Sequence, residues 1–302
     1  MAWWSALAGV ELWTVAVILV TAGFYLGALL AVGAVLFRLA FPDLPDPEQR
    51  AASRTGAIAA WAGIALALLQ WPLQAGYLGG GNVASAVDPM LLGIVFDGAQ
   101  GTRLILAVIG LLLVQAILLG ARRLPGLGHG LSLAGALLVM LAFVQMGHTL
   151  GEPRALLAGL LILHLGAAAF WVASLWPLYR LAGRPAGAAD AAQILARFGR
   201  VAMVVVGLLV LAGMVLAALL LGGFPALFTT DHGQFLLGKV WIVALLLLLA
   251  AANKWRLVPA FERGEPWASR RLRRSIALEG LLIVTVLLVT AVLTTVSSPA
   301  NG

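Results

Sequence analysis

Residues 146–178, "MGHTLGEPRALLAGLLILHLGAAAFWVASLWPL", hold two of the chain's four histidines inside an almost wholly apolar run. His148 precedes a Gly/Pro-broken turn, and His164 follows four apolar residues and precedes a run of Leu, Gly and Ala. Met140 lies two i+4 steps before His148, through Val144, so the two share one helix face. Met146 and Gln145 are adjacent in sequence. Thioether plus imidazole suits Cu(I), a soft ion, and imidazole also suits Cu(II). Isolated methionines in apolar helices commonly pack, so Met140 and Met146 stand as ligands or as packing residues. His232, beside Asp231 in "TTDHGQ", is either an entrance ligand or a solvated side chain. Met203 and Met214, eleven residues apart and on one helix face, read as packing. His129, in "GLGHG" at a loop, reads as structural.

Other chemistries are missing from the sequence. With no cysteine, there are no disulfides, thiolate metal sites, iron–sulfur clusters or thiol nucleophiles. No Walker loop, HExxH or GxSxG is present. We therefore expect no enzyme, and any transport must be passive, ion-coupled or partner-driven.

The elements that position these residues follow from composition. The chain has 302 residues, 62% hydrophobic and 10% charged, with a mean hydropathy of +1.04. Soluble domains carry about 25% charged residues, so this is an all-α integral membrane protein. A bilayer core of about 30 Å needs roughly 20 apolar residues per helix. Eight segments qualify, at about 11–38, 55–77, 102–121, 130–148, 155–179, 200–222, 236–257 and 276–297. Lipid admits only helices or closed barrels, and continuous Leu/Ala/Val runs without alternation select helices. The whole chain reads as one polytopic membrane domain, with a weak four-plus-four pattern dividing near 125/126. "MAWWSALAGVELW" lacks a basic n-region and is not expected to be a signal peptide.

All but three of the 19 basic residues fall in the loops after the first, third, fifth and seventh segments. The exceptions are Arg103, Arg154 and Lys239. The positive-inside rule puts the four basic loops in the cytoplasm and both termini outside. It also accounts for the net charge of +7 without nucleic acid as a partner. In the outer loop 78–101, Asp88 followed by Pro89 signals a short helix through "MLLGIVF". The loop "RGEPWASRRLRR" suits an inner surface of anionic headgroups.

Ionisable groups in hydrocarbon are costly unless paired or hydrated, and so mark function. Ten residues from Arg154 put His164 about 15 Å deep, as a ligand or as a neutral histidine bonded to a neighbouring helix. Glu279 sits about one turn inside the last segment, with Asn253 and Lys254 at similar depth on the seventh. Their cluster either fixes helix orientation or forms a proton or cation exit. Gln70, Pro72 and Gln74 make the second segment polar and kinked near its outer end. Trp61, Trp71, Trp171, Trp176 and Trp241 read as interface or packing residues.

Five stretches together resemble one family. They are "GHTLG", "LHLGAAAFWVASLWPL", "RFGRVAMVVVGLLVLAGMV", "GQFLLGKVWIVALLLLLAAANKWRLVPAF" and "RRLRRSIALEGLLIVTVLLVTAVLTTV". In this order they resemble the copper resistance protein D (CopD/PcoD-like) family, best over about 140–298; "GTRLILAVIGLLL" extends the likeness into the first half. The resemblance implies a multi-pass protein of the bacterial inner membrane that handles copper beside a small periplasmic CopC-like protein. It carries over His148, His164, Lys239, Asn253, Arg274 and Glu279 as motif positions. Family members commonly have a first-helix histidine where this chain has Tyr25. No fused CopC-like domain is expected, so a donor is expected to be separate. Oligomerisation is left open.

The leading reading is copper transport from periplasm toward cytoplasm, entering at His148 with His232 and Met146, passing to His164, with Glu279 and Asn253 marking the inner end. Two other readings stand beside it. One is a membrane haem or redox protein, although His148 and His164 differ in depth too much to face one iron. The other is a non-transporting assembly partner in which His164 is structural.

Overall fold

Buried in lipid, a backbone must bond to itself, and every regular element among the described residues is helical. The computed structural model describes residues 11–118, 125–145, 153–221 and 225–296, without the side chains of Pro125, Ala226, Asp231, His232 and Val296. Eight helices there are long and apolar enough to cross a membrane. They are α1 (Leu12–Ala40), α2 (Asp46–Leu78), α5 (Ala99–Leu118), α6 (Pro125–Val144), α7 (Arg154–Leu181), α8 (Ala189–Leu220), α10 (Asp231–Ala252) and α12 (Ala268–Val296). Short helices α3 (Val83–Ala86) and α4 (Pro89–Asp97) fill the loop after α2, and α9 (Ala226–Thr229) precedes α10. A π-helical turn, Asn253–Leu257, joins α10 to α11 (Val258–Glu262).

α4 forms where Asp88–Pro89 announced it. The Asp88 carboxylate accepts from Met90 N at 2.9 Å and Leu91 N at 3.0 Å, satisfying two otherwise unpaired first-turn amides. Several spans run beyond the apolar limits expected of them. α2 starts at Asp46, nine residues early, with Pro in its first turn beside Asp46 and Glu48. It also continues unbroken past Pro72. α12 starts at Ala268, eight residues before its expected apolar limit, so Glu279 lies three turns from the helix start, about 16 Å along the axis. His129 lies near the start of α6.

α1 is the central post. Phe24, Ala28, Leu29, Val32, Val35 and Phe37 are almost wholly enclosed by α2, α5, α6 and α7. The approach to α7 is backbone to backbone: a Cβ on Gly33 would stand 1.8 Å from the Ala169 carbonyl oxygen. Without a hydrophobic force between helices in lipid, small residues that admit such contact drive association. α8 and α10 are peripheral, with 11% and 6% of their most apolar windows buried against 56% for α5. Met203 (52% exposed) and Met214 (59%) therefore face outward from α8 instead of packing inward.

Polar groups clamp the ends of the bundle. At the end carrying the α1–α2 and α7–α8 loops, Arg184 bridges buried Glu48 at 3.1 Å and also pairs with Asp190. Arg38 reaches Ser53 at 2.9 Å, and Arg197 donates to the Ala40 carbonyl at 3.0 Å. Toward the other end, buried Arg103 lies over the Phe24 ring, 4.9 Å from its centroid.

Candidate metal-handling site

His164 is held by α8. Its Nδ1 lies 2.9 Å from the Leu209 carbonyl oxygen. A carbonyl only accepts, so Nδ1 carries the proton and Nε2 keeps its lone pair. Metal-binding histidines commonly use this arrangement, donating one ring N–H to a backbone carbonyl and presenting the other nitrogen to the ion. The contact depends on Gly213. A Cβ there would lie 3.0 Å from His164 Cε1 and 3.1 Å from Nδ1, so this glycine lets the imidazole approach α8 closely. Neither Leu209 nor Gly213 was anticipated from sequence. The available signal was a glycine within the apolar run "LLVLAGMVL", since glycine in a membrane helix marks close approach.

Lys239, about 12 Å along α10 from its start, lies within electrostatic reach of the His164 ring. A protonated lysine weakens the attraction of that imidazole for a cation.

Met140 is 3% exposed and belongs to the core cluster around α1, with Phe24 and Val139. Ile162 and Leu165, flanking His164 on α7, pack against that same cluster, while His164 turns to α8. Met140 is therefore enclosed in the core, on a different side of α7 from the His164 ring. His148 and Met146 lie outside the described residues, as does the His232 side chain, whose backbone is in the first turn of α10. Among the described residues, no three His, Asp or Glu side chains converge on one point. Tyr25 bonds through its hydroxyl to Thr294 at 3.1 Å and packs on Phe143, tying α1 to α12.

A second polar cluster lies toward the other end. Glu279, 3% exposed, accepts from Trp171 Nε1 at 3.2 Å on one carboxylate oxygen and from the Asn253 amide on the other. Three helices meet there: α7, α12 and the π-helical turn after α10. Wide turns of this kind recur at functional sites because they rephase the side chains that follow. Lys254 takes no part, donating instead to the Gly199 carbonyl at 2.8 Å. The expected Glu279–Asn253 pair forms; the expected nearby lysine serves α8. Trp171 was read as packing and is also a carboxylate donor. Arg274 is exposed at the start of α12.

Comparison with known proteins follows this division of the molecule. The family described as copper resistance protein D matches residues 192–293, and that described as copper resistance protein D-like, N-terminal domain, matches residues 11–152. His164 falls between the two matched stretches. Inner membrane protein YebZ of Escherichia coli (strain K12) is 39% identical over 114 residues, 35% of this chain and 38% of that protein. Copper resistance protein D of Pseudomonas syringae pv. tomato is 35% identical over 130 residues, 39% of this chain and 42% of that protein. Copper transport protein CutJ of Bacillus subtilis (strain 168) is 28% identical over 290 residues, 91% of this chain and 51% of that protein. The chain thus spans about half or less of the length of these relatives. No solved structure matches. With both matches in chain order and eight candidate spans, the chain belongs to the copper resistance protein D family of multi-pass inner-membrane proteins.

Proposed function

We propose that the chain carries copper across the inner membrane, from the periplasmic face toward the cytoplasm, as a carrier and not a catalyst. Family membership supports the cargo. The single observation that supports a route is His164, whose Nδ1 is held by the Leu209 carbonyl, leaving Nε2 without a hydrogen-bond partner among the described residues. Copper, as Cu(I) or Cu(II), is the substrate. His148, Met146 and His232 would receive it from a separate CopC-like donor at the outer end. Such ligands must bind weakly enough to release the ion again. Met140, enclosed in the core, serves packing in this scheme.

Copper flux into vesicles holding the purified chain tests this. Wild type carries copper, and His164→Ala loses most of the flux while keeping its fold. Equal flux in the two proteins overturns the route.

One observation favours a second reading, in which the chain handles copper at its outer face without transporting it. The bond between His164 Nδ1 and the Leu209 carbonyl ties α7 to α8, which gives His164 a structural role without any metal. In that case His164→Ala spares copper accumulation and His148→Ala does not.

A further inference from the structure

Where α2 and α7 meet, at the end of the bundle with the α1–α2 and α7–α8 loops, an open cavity of about 460 Å³ is lined by Arg50, Arg54 and Arg180, with Thr55, Ile58 and Trp176 among its walls. Several other arginines at this end are engaged: Arg38 with Ser53, Arg184 with Glu48 and Asp190, Arg197 with Ala40 and Asp43, and Arg273 with Tyr179. The three cavity arginines have no carboxylate within ion-pair distance among the described residues. The nearest acidic group in sequence, Glu48, is buried and already held by Arg184. Three guanidinium groups around one space repel one another unless an anion sits between them.

The surface beyond the cavity indicates which anion. Arg50, Arg54 and Ile58 follow each other at i+4 along one ridge of α2, and Trp61 continues it one turn further. Ile58 is 60% exposed and Trp61 55% exposed. One helix face thus passes from cationic to apolar as it enters the span. Trp176, a turn before Arg180 on α7, repeats this order and stacks on Tyr179. A free phosphate would use the arginines and leave the apolar half of the ridge without a role. A phospholipid uses both: its phosphate among the guanidinium groups, its acyl chain along Ile58 and Trp61. Basic pockets between membrane helices bind anionic headgroups in this way.

We propose that this cavity is a binding site for one anionic phospholipid, its phosphate held by Arg50, Arg54 and Arg180. The site is separate from His164 and does not rest on copper transport.

Native mass spectrometry of the full chain in detergent, titrated with phosphatidylglycerol, tests this. Three proteins are compared: wild type, R50Q/R54Q/R180Q, and R256Q/R270Q/R274Q, whose exposed arginines lie elsewhere but remove the same charge. Wild type retains one phosphatidylglycerol where phosphatidylcholine is lost. The cavity variant loses affinity by about a hundredfold, and the control variant keeps it. R54Q alone, and I58N with the arginines intact, each show a smaller loss. Equal loss in both triple variants overturns the proposal, because general surface charge then accounts for binding. Retention of phosphatidylcholine equal to that of phosphatidylglycerol overturns it, as does complete displacement by inorganic phosphate. The stability of each variant without lipid matches wild type.

Discussion

Asn253 donates its side-chain amide to one oxygen of the Glu279 carboxylate, and the Trp171 indole donates to the other at 3.2 Å. Each donor comes from a different helix, so one buried carboxylate fixes α7, α12 and the π-helical turn against each other. Asn253→Leu leaves the carboxylate with a single donor in an enclosed setting. The expected destabilisation is about 1–3 kcal/mol, the cost of stranding a buried acceptor. Glu279→Gln retains an acceptor for one donor and costs less. Thermal unfolding in detergent orders the two variants, and a Glu279→Gln protein less stable than Asn253→Leu would contradict this.

Gly213→Ala bears on His164 at a distance from any metal. The added methyl must displace the imidazole by a few tenths of an ångström, because the ring already lies 3.0 Å from the Cβ position. Gly207→Ala, one helix face away, adds a methyl into open space. Copper binding falls in Gly213→Ala and is unchanged in Gly207→Ala. Equal behaviour of the two would show that the His164 orientation is immaterial.

Lys239→Met removes the amine from α10 and preserves most of the side-chain volume. Copper affinity at His164 rises, by roughly three- to tenfold for an interaction of about 1 kcal/mol, and Lys239→Arg leaves it unchanged. Titration with a competing chelator reads the difference. A loss of affinity in Lys239→Met would mean that Lys239 supports the site.

The methionines separate packing from ligation. Met140→Leu, nearly volume-conserving in a closed core, costs less than about 1.5 kcal/mol and leaves copper stoichiometry intact. Met203→Leu and Met214→Leu, on an outward face, change neither stability nor copper. Lower copper in Met140→Leu at unchanged stability would return that residue to the ligand set.

The count and order of the spans were legible because bilayer thickness sets their length, and Asp88–Pro89 announced α4 through cap chemistry alone. Helix starts such as Asp46 and Ala268 were hidden from hydropathy, because amphipathic and charged turns extend each helix past its apolar run. The Glu279–Asn253 pairing was readable from matching depth on two spans. Its third member was not, since Trp171 as packing and Trp171 as donor look alike in sequence. His164 stood out as an imidazole in hydrocarbon, but depth does not tell which helix it faces. That depends on Gly213, one of 35 glycines, whose role appears only when α7 lies against α8. Met203 and Met214 were misplaced for the same reason: in a membrane, lipid-facing and core-facing positions are equally apolar.

Copper bound per protein, measured on detergent-purified wild type and His164→Ala with an optical spectrum of each sample, asks most directly whether His164 handles copper. Near-stoichiometric copper in wild type, lost in His164→Ala and without a Soret band, is the predicted result. Absence of copper from wild type, equal copper in both proteins, or a haem spectrum that disappears in the variant would contradict it.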